Sequence, residues 1–159
     1  MEAFLDIETT GLFSHSDEIT VIGIYHAEGN RTKFSQLVGE RITQQNLLET
    51  LRGVSTIYTY NGSRFDLPFI QRRLGVDLTA MFKHCDLMYS CWDNRLYGGL
   101  KGVEKQLNIP RRLKEINGYE AVRLWWRYVN SYDEKALQLL LEYNKEDVIN
   151  LKTLRDRLI

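Results

Sequence analysis

Two acidic residues, Asp6 and Glu8, lie in the otherwise apolar segment FLDIETTG near the start of the chain. If this segment is a β-strand, both carboxylates project from one face and Leu5 and Ile7 from the other, because side chains alternate along a strand. An edge strand with one solvated face would explain the two acids equally well. Further acidic residues are therefore needed to choose between a site and a solvated face.

A third acid, Asp147, interrupts an apolar helical stripe in the last part of the chain. The other members of the stripe recur at alternating steps of four and three, and they are Ala136, Leu140, Tyr143, Leu151, Leu154 and Leu158. An unpaired carboxylate that faces a protein interior is strongly disfavoured, so Asp147 requires a cation. The alternative is that the stripe tolerates one polar residue at the rim of the core.

Asp66, in the segment NGSRFDLP, is the fourth acidic candidate. An ordinary helix N-cap would also explain it, because it follows a turn and precedes Pro68. If the four acids converge, their repulsion amounts to about 4 kcal/mol per close pair at an effective dielectric constant of about 20. Two divalent cations would balance the four negative charges.

Ligand sets made only of oxygen, without histidine, favour Mg²⁺ or Mn²⁺ over zinc. Two such ions, about 3.5–4 Å apart, stabilise both the attacking and the leaving oxygen when a phosphodiester is cleaved in line. The acidic pattern therefore predicts a two-metal site for phosphodiester hydrolysis.

Composition favours one soluble globular domain over residues 1–159, with 43% apolar and 26% charged residues. The 21 Lys and Arg residues balance the 21 Asp and Glu residues, so any binding of nucleic acid depends on local patches. The sequence contains no signal peptide and no apolar stretch long enough to cross a bilayer, which predicts a cytoplasmic protein without a membrane partner. His84, Cys85 and Cys91 could be three zinc ligands, but no fourth follows at a suitable spacing, so reduced thiols are favoured.

Five strands are predicted to position these acids: Met1–Glu8, Ile19–His26, Arg31–Gln36, the segment STIYTY at 55–60, and Phe82–Cys85. The first three are expected to form an antiparallel unit around the turn AEGN, and the fourth to pair in parallel with the first. Helices are predicted over Thr43–Leu51, from Asp66 to Leu74, in most of the chain after the fifth strand, and from Asp133 to the end. This order predicts a three-layer α/β fold, with a mixed five-stranded sheet flanked by α-helices.

Three motifs carry a resemblance to a known family: DIETTG at Asp6–Gly11, NGSRFD at Asn61–Asp66 and YNKED at Tyr143–Asp147. In this order they resemble the motifs of the 3′–5′ exonucleases of the DEDD group, within the ribonuclease H-like superfamily. A tyrosine four residues before the last aspartate is similar to the tyrosine branch, DEDDy. The segments FDLPFIQRRLG and YNKEDVINL look most like small stand-alone nucleases of this superfamily.

The resemblance implies a ribonuclease H-like fold and release of nucleoside 5′-monophosphates from the 3′ end of single-stranded DNA or RNA. It implies that Asp6 bridges two cations, that Glu8 and Asp147 hold the cation on the side of the nucleophile, and that Asp66 anchors the other. Tyr143 would orient the attacking water.

The resemblance also implies substrate contacts. Those with the terminal nucleotide would come from Thr9, Thr10, Gly11 and Leu12, and those with the next nucleotide from Asn61 and Phe65. Stacking by Phe65 would contribute about 1–3 kcal/mol per base. Leu12 and Phe65 could equally be core residues.

No additional nucleic-acid-binding domain is expected, so the grip on the substrate would come from this domain or from a protein partner. Candidate phosphate contacts are Arg64, Arg72, Arg73, Lys101, Lys105, Arg111, Arg112, Lys114 and Lys145, although scattered cations are usually solvated surface. The densest cluster is PRRLK, at 110–114. Trp125 and Trp126 could form a stacking platform, although one of two adjacent helical tryptophans is normally a core residue.

Two alternatives stay open at this stage. An endonuclease of the same superfamily would use the same acids and cations, and an inactive nucleic-acid-binding module would keep only the fold. No motif distinguishes RNA from DNA, because that choice depends on a few contacts with the 2′-hydroxyl.

Overall fold

A computed structural model describes residues Met1–Ile159 and contains one mixed sheet of five strands in the order β3-β2-β1-β4-β5. The strands are β1 (Glu2–Thr9), β2 (Ile19–Glu28), β3 (Arg31–Val38), β4 (Thr56–Thr59) and β5 (Lys83–Asp86). Strands β1, β2 and β3 pair antiparallel, and β1, β4 and β5 pair in parallel. The predicted fold class, the five strands and their directions are confirmed.

Strand β1 lies in the centre of the sheet, so the edge-strand interpretation of Asp6 and Glu8 is wrong. Its pairing with β2 runs from Glu2 to Thr9, with a register shift between Glu8 and Thr9. Its pairing with β4 covers only Glu2 to Phe4. The two parallel strands therefore separate before Asp6, and a crevice opens at their carboxyl ends, where open α/β sheets bind ligands.

Seven α-helices flank the sheet: α1 (Gln44–Thr50), α2 (Asp66–Leu74), α3 (Leu78–Met81), α4 (Leu87–Asp93), α5 (Leu100–Gln106), α6 (Gly118–Ser131) and α7 (Glu134–Leu158). Thr43 and Asp133 are the N-caps of α1 and α7, one position before each helix begins. Gly75 ends α2 in the left-handed conformation (φ 70°), as predicted from its position after Leu74. Helix α3 was not predicted, because a single turn is too short to show helical periodicity.

Apolar side chains form a core on each face of the sheet. Leu5 and Ile7 face the cluster beneath α1, α2 and α3. Phe4, two positions before Asp6, faces the cluster beneath α4, α5 and α7. The alternation predicted for β1 is thus confirmed, and it directs Asp6 and Glu8 towards α7.

His84, Cys85 and Cys91 do not form a metal site. The His84 ring lies 2.8 Å from the Thr59 hydroxyl, Cys91 is buried in the core, and both cysteines are free thiols. Of the two predicted thiols, Cys91 is buried and Cys85 is half-buried. None of the seven helices is both long enough and apolar enough to span a membrane.

Candidate active site

Three of the four predicted acids meet beside the sheet. Each of Asp6, Glu8 and Asp147 offers a carboxylate oxygen, and these oxygens all lie within 4.8 Å of one another. Strand alternation supplies Asp6 and Glu8, and α7 supplies Asp147. Of all histidines, cysteines and acids in the chain, these three form the one group of three or more with ligand spacing.

Helix α7 places Asp147 beside the sheet, because Asp147 belongs to the predicted stripe. Buried members of the stripe are Ala136, Leu140, Tyr143, Asp147, Leu151 and Leu154. The neighbouring residue Asn144 donates from Nδ2 to both the carbonyl and Oδ2 of Asp6, at 3.3 Å each. Its Oδ1 accepts a hydrogen bond from Gln36 at 2.9 Å, which fixes the orientation of the amide. Asn144 was not predicted, although it lies inside the YNKED motif.

Asp66 is the first residue of α2, and Phe65 occupies the N-cap position without a side-chain hydrogen bond. The N-cap interpretation of Asp66 is therefore wrong. Its Oδ2 instead accepts a hydrogen bond from the backbone N–H of Ile7, at 3.1 Å. Asp66 lies outside the group of three carboxylates but lines the same cavity.

Asp86 holds the loop that precedes α2. Its carboxylate accepts backbone hydrogen bonds from Asn61 at 2.8 Å, Ser63 at 3.1 Å and Met88 at 3.0 Å. Asn61 has a φ of 61°, a left-handed conformation that asparagine tolerates better than most residues. Asp86 was not predicted, and the only signal for it is its position at the end of β5 and directly before α4, where an N-cap is expected.

A cavity of about 280 Å³ opens over the acids, and we call it the acidic cavity. Asp6, Glu8, Asp66, Tyr143 and Asp147 line it, together with the predicted substrate residues Thr9, Leu12, Asn61 and Phe65.

Thr10 and Gly11 do not line the acidic cavity. The Thr10 hydroxyl donates to Asp17 at 3.1 Å. A Cβ on Gly11 would lie 2.4 Å from the same carboxylate, so a larger residue would displace the Asp17 side chain. These two residues shape the loop after β1, and their contact with a nucleotide stays a prediction.

A buried arginine holds Asp147. Arg111 donates to Asp147 at 2.5 Å and forms a two-bond pair with Glu104 at 2.7 and 2.8 Å. Asn150 donates to Glu104 at 2.8 Å. The side chains of Arg111 and Glu104 are only 4% and 2% exposed. The prediction of Arg111 as a surface phosphate contact is therefore wrong, and Asp147 has its cation within the fold.

Burial controls the charge state of the acids. It raises the pKa of Asp6 and Glu8 well above their usual values, and the neighbouring Asp147 raises both further. Burial also raises the pKa of Asp66 to about 7. For Asp147 burial raises the pKa to about 6, against the opposing effect of Arg111.

Tyr143 stays protonated at neutral pH, because burial and Asp147 raise the pKa of its phenol.

The possible metal ligands beside Tyr143 are carboxylate oxygens that are close, buried and costly to charge without a cation. Such a set fits a hard divalent cation. Asp6, Glu8 and Asp147 could hold one ion, and Asp66 could contribute to a second.

The other predicted phosphate contacts are dispersed over the surface. Arg112 pairs with Glu142 at 3.2 Å, and Arg64 and Lys145 lie over the rings of Trp92 and Phe34. Arg72 and Arg73 are exposed at the end of α2. The remaining three are Lys101, Lys105 and Lys114, which line a second cavity.

The two adjacent tryptophans of α6 differ in burial. Trp125 packs against the core between α6 and α7, with its ring centroid 5.6 Å from that of Tyr128, whereas Trp126 is 43% exposed. One of the pair is thus packed against the core, as expected. Neither lines the acidic cavity, and their role as a stacking platform stays a prediction.

Sequence comparison places the whole arrangement in a family. The RNase_H_2 family, of the RNase H superfamily, matches residues 3–159, and the chain belongs to this family. A curated relative is the uncharacterized protein YprB of Bacillus subtilis (strain 168), 27% identical over 95% of this chain. The match covers 40% of YprB, so the chain spans well under half the length of that relative.

Two solved structures share the fold. The family B DNA polymerase of the archaeon Pyrobaculum calidifontis superimposes with a TM-score of 0.76 at 19% identity, over 99% of this chain and 24% of the polymerase. Brucella melitensis NrnC bound to pGG superimposes with a TM-score of 0.66 at 22% identity, over 99% of this chain and 71% of NrnC. At these identities the two similarities establish the ribonuclease H-like fold alone.

Proposed function

We propose that this chain is a metal-dependent 3′–5′ exonuclease of the DEDDy type. It would hydrolyse phosphodiester bonds at the 3′ end of single-stranded DNA or RNA and release nucleoside 5′-monophosphates. The observation that carries the proposal is the meeting of Asp6, Glu8 and Asp147 within 4.8 Å, in a cavity that Tyr143 and Asp66 also line.

Two divalent cations, Mg²⁺ or Mn²⁺, would neutralise the four carboxylates, lower the pKa of a bound water and stabilise in-line displacement at phosphorus. Asp6, Glu8 and Asp147 would hold one ion, and Asp6 and Asp66 the other. Arg111 already engages Oδ1 of Asp147, which favours Oδ2 for the cation and fixes the carboxylate in one orientation.

Tyr143 would position the attacking water rather than remove its proton. Its pKa is raised by burial, so the phenol hydroxyl is retained at neutral pH and can exchange hydrogen bonds with a water. The ring itself is held in place, because the Lys101 ammonium lies 5.2 Å from the ring centroid.

The substrate end would be recognised by the loops at the mouth of the cavity. Leu12 is 77% exposed, so it is not a core residue and its side chain is free to contact a base. Phe65 is half-buried and packs against Phe69, with ring centroids 5.4 Å apart. Its remaining exposed surface lines the cavity, where it can contact the next base.

Two solved structures of one neighbour support this assignment. NrnC has been solved bound to pGG, and also with bound Mg²⁺, the latter with a TM-score of 0.64 to this chain at 20% identity. A protein of the same fold thus binds the kind of ligand and ion proposed for this chain.

The test is an incubation of 5′-labelled single-stranded DNA and RNA with the protein in Mg²⁺ or Mn²⁺. The expected result is a ladder that shortens by one nucleotide at a time and disappears with chelator or in Asp6→Asn. The matched control is Asp93→Asn, which removes an exposed carboxylate outside the cavity.

A second substrate with a blocked 3′ end separates the exonuclease from an endonuclease. Resistance of the blocked strand supports the proposal, whereas internal cleavage of it would assign an endonuclease. Intact strands under every metal condition would indicate an inactive nucleic-acid-binding module.

A further inference from the structure

A second cavity, of about 490 Å³, lies beside the acidic cavity. It is formed by α5 and the segment that follows this helix, and we call it the basic cavity. The charged residues that line it are Lys101, Glu104, Lys105, Arg111 and Lys114.

The residues that line the basic cavity carry more positive than negative charge, with four cations and one acid. Its single acid, Glu104, is already occupied by Arg111, at 2.7 and 2.8 Å. Lys101, Lys105 and Lys114 make no ion pair with any carboxylate. Lys101 is in addition partly buried. Three ammonium groups without a carboxylate partner around one concave surface favour an anionic ligand.

The two cavities are separated by one layer of side chains. Tyr143 and Asp147 line the acidic cavity, and the Lys101 ammonium and the Arg111 guanidinium contact them from the other side, at 5.2 Å from the Tyr143 ring centroid and 2.5 Å from Asp147. An anion in the basic cavity would therefore lie next to the reacting end of a bound strand.

A third cavity, of about 530 Å³, is also lined by cations, but it lacks the large excess of positive charge found in the basic cavity. Arg31, Lys33 and Arg52 line it together with Glu28 and Glu49, and Arg52 pairs with Glu49 at 2.6 Å. It surrounds the hairpin between β2 and β3, at the end of the sheet where β1 begins. Cations from this region provide a control for general loss of charge.

We propose that the basic cavity binds phosphate groups of the nucleic-acid substrate through Lys101, Lys105 and Lys114. This inference rests on the proposed nuclease function and adds the surface that grips the substrate. The phosphate can come from internal phosphodiesters of the strand or from the 5′-phosphate of the released mononucleotide. Both are anions of the same chemistry, and the experiment separates them.

The test measures binding apart from cleavage. In an Asp6→Asn background with Mg²⁺, fluorescence anisotropy of a labelled single-stranded oligonucleotide is followed as NaCl is increased. Each phosphate contact contributes about 0.7 to the slope of log affinity against log salt for single strands. The triple variant Lys101→Gln, Lys105→Gln, Lys114→Gln should lower that slope by about 2, with weaker binding to all sequences alike.

The matched control removes three exposed, unpaired cations elsewhere: Arg31→Gln, Lys33→Gln and Lys83→Gln. It should leave the slope close to that of the parent. Circular dichroism melting checks the fold of each variant. If the triple variant fails to fold, the exposed pair Lys105→Gln and Lys114→Gln should still lower the slope by about 1.4.

Oligonucleotide length and a mononucleotide competitor identify the source of the phosphate. If the triple variant loses affinity for longer strands but not for a nucleoside 5′-monophosphate, internal phosphodiesters occupy the cavity. If it loses affinity for the monophosphate as well, the released product occupies it. An unchanged slope, with the parent still binding strands, would overturn this inference alone. A parent that binds no strand would overturn the proposed function and this inference together.

Discussion

The two sides of the acidic cavity are built differently. On the side of α7, Asp147, Arg111 and Glu104 are buried and joined by hydrogen bonds of 2.5–2.8 Å. On the opposite side, Leu12 is 77% exposed and Phe65 is half-buried on a short loop. On the α7 side the groups that line the cavity are held by buried charges that cannot leave their partners without large cost, whereas on the opposite side Leu12 and Phe65 lie on loops near the surface.

This difference indicates a division of tasks. Buried charges that are hydrogen-bonded to one another stay in one arrangement, because separating them leaves an unpaired charge in the interior. Loop residues at a rigid scaffold can adapt to different ligands. We infer that the α7 side holds Asp147 and Tyr143 in a fixed arrangement for the chemistry, and that the exposed residue Leu12 and the half-buried Phe65 recognise the nucleotide.

The largest effect is expected from breaking the buried network. Arg111→Ala leaves Glu104 and Asp147 buried without a cation, which should lower the free energy of unfolding by about 3–5 kcal/mol. Arg111→Lys keeps the charge but loses the two-bond geometry with Glu104, so a smaller loss is expected. Urea unfolding measures both.

Arg112→Ala is the matched control for Arg111→Ala. Its guanidinium pairs with Glu142 on the surface, with both side chains more than half exposed, so a loss of about 0–1 kcal/mol is expected. Equal losses for Arg111→Ala and Arg112→Ala would contradict the picture of a rigid, charge-paired side.

The next effect is a dependence of stability on pH without metal. Burial raises the pKa of Asp66 to about 7, whereas the ordinary pKa of an aspartate is 3.8. Between these values the folded protein binds more protons than the unfolded chain, so the free energy of unfolding should fall as pH rises from about 4 to about 7. The contribution is complete below the unfolded pKa, and its loss can reach a few kcal/mol because one pKa unit corresponds to about 1.4 kcal/mol.

Urea unfolding in chelator from pH 4 to pH 8, with parent and Asp66→Asn side by side, isolates this carboxyl. The pKa of Glu2 is lowered beside Arg155 and the pKa of Asp156 is lowered beside Lys152 and Arg155, so both contribute the opposite slope in both proteins. The parent should lose more stability than Asp66→Asn across this range, and Mg²⁺ should reduce the loss. Parallel curves for the two proteins in chelator would exclude a raised pKa for Asp66.

A somewhat smaller loss of stability is expected for Gly23→Ala, where β2 packs against α7. A Cβ on Gly23 would lie 2.2 Å from Oδ1 of Asn144, the residue that donates to Asp6. Gly23→Ala should therefore cost about 1–3 kcal/mol through overpacking and should also reduce nuclease activity by moving Asn144. The control is Gly99→Ala, where an added Cβ meets nothing within 4 Å. Unchanged stability and activity in Gly23→Ala would show that Asn144 is free to move.

Local patterns in the sequence were sufficient for the positions of Asp6, Glu8, Tyr143 and Asp147. Strand alternation and a helical stripe both follow from the period of one element, so the face of each residue could be predicted. The partner of Asp147 could not be predicted in this way. Arg111 lies in the loop between α5 and α6, and no periodicity determines the path of a loop. The support of the Asn61 loop by Asp86 was missed for the same reason, since the two lie in separate elements.

The smallest effect on stability, and the sharpest test of the loop side, is expected for Leu12→Ala. Because its side chain is largely exposed, the free energy of unfolding should change by less than about 0.5 kcal/mol. If Leu12 contacts the terminal base, KM for a single-stranded oligonucleotide should rise while kcat changes little, because a contact made equally in the ground and transition states affects binding alone. Met81→Ala, at another exposed apolar residue outside the acidic cavity, should leave both constants unchanged. A fall in kcat for Leu12→Ala with KM unchanged would instead place this loop in the chemical step, and the proposed division between the two sides would fail.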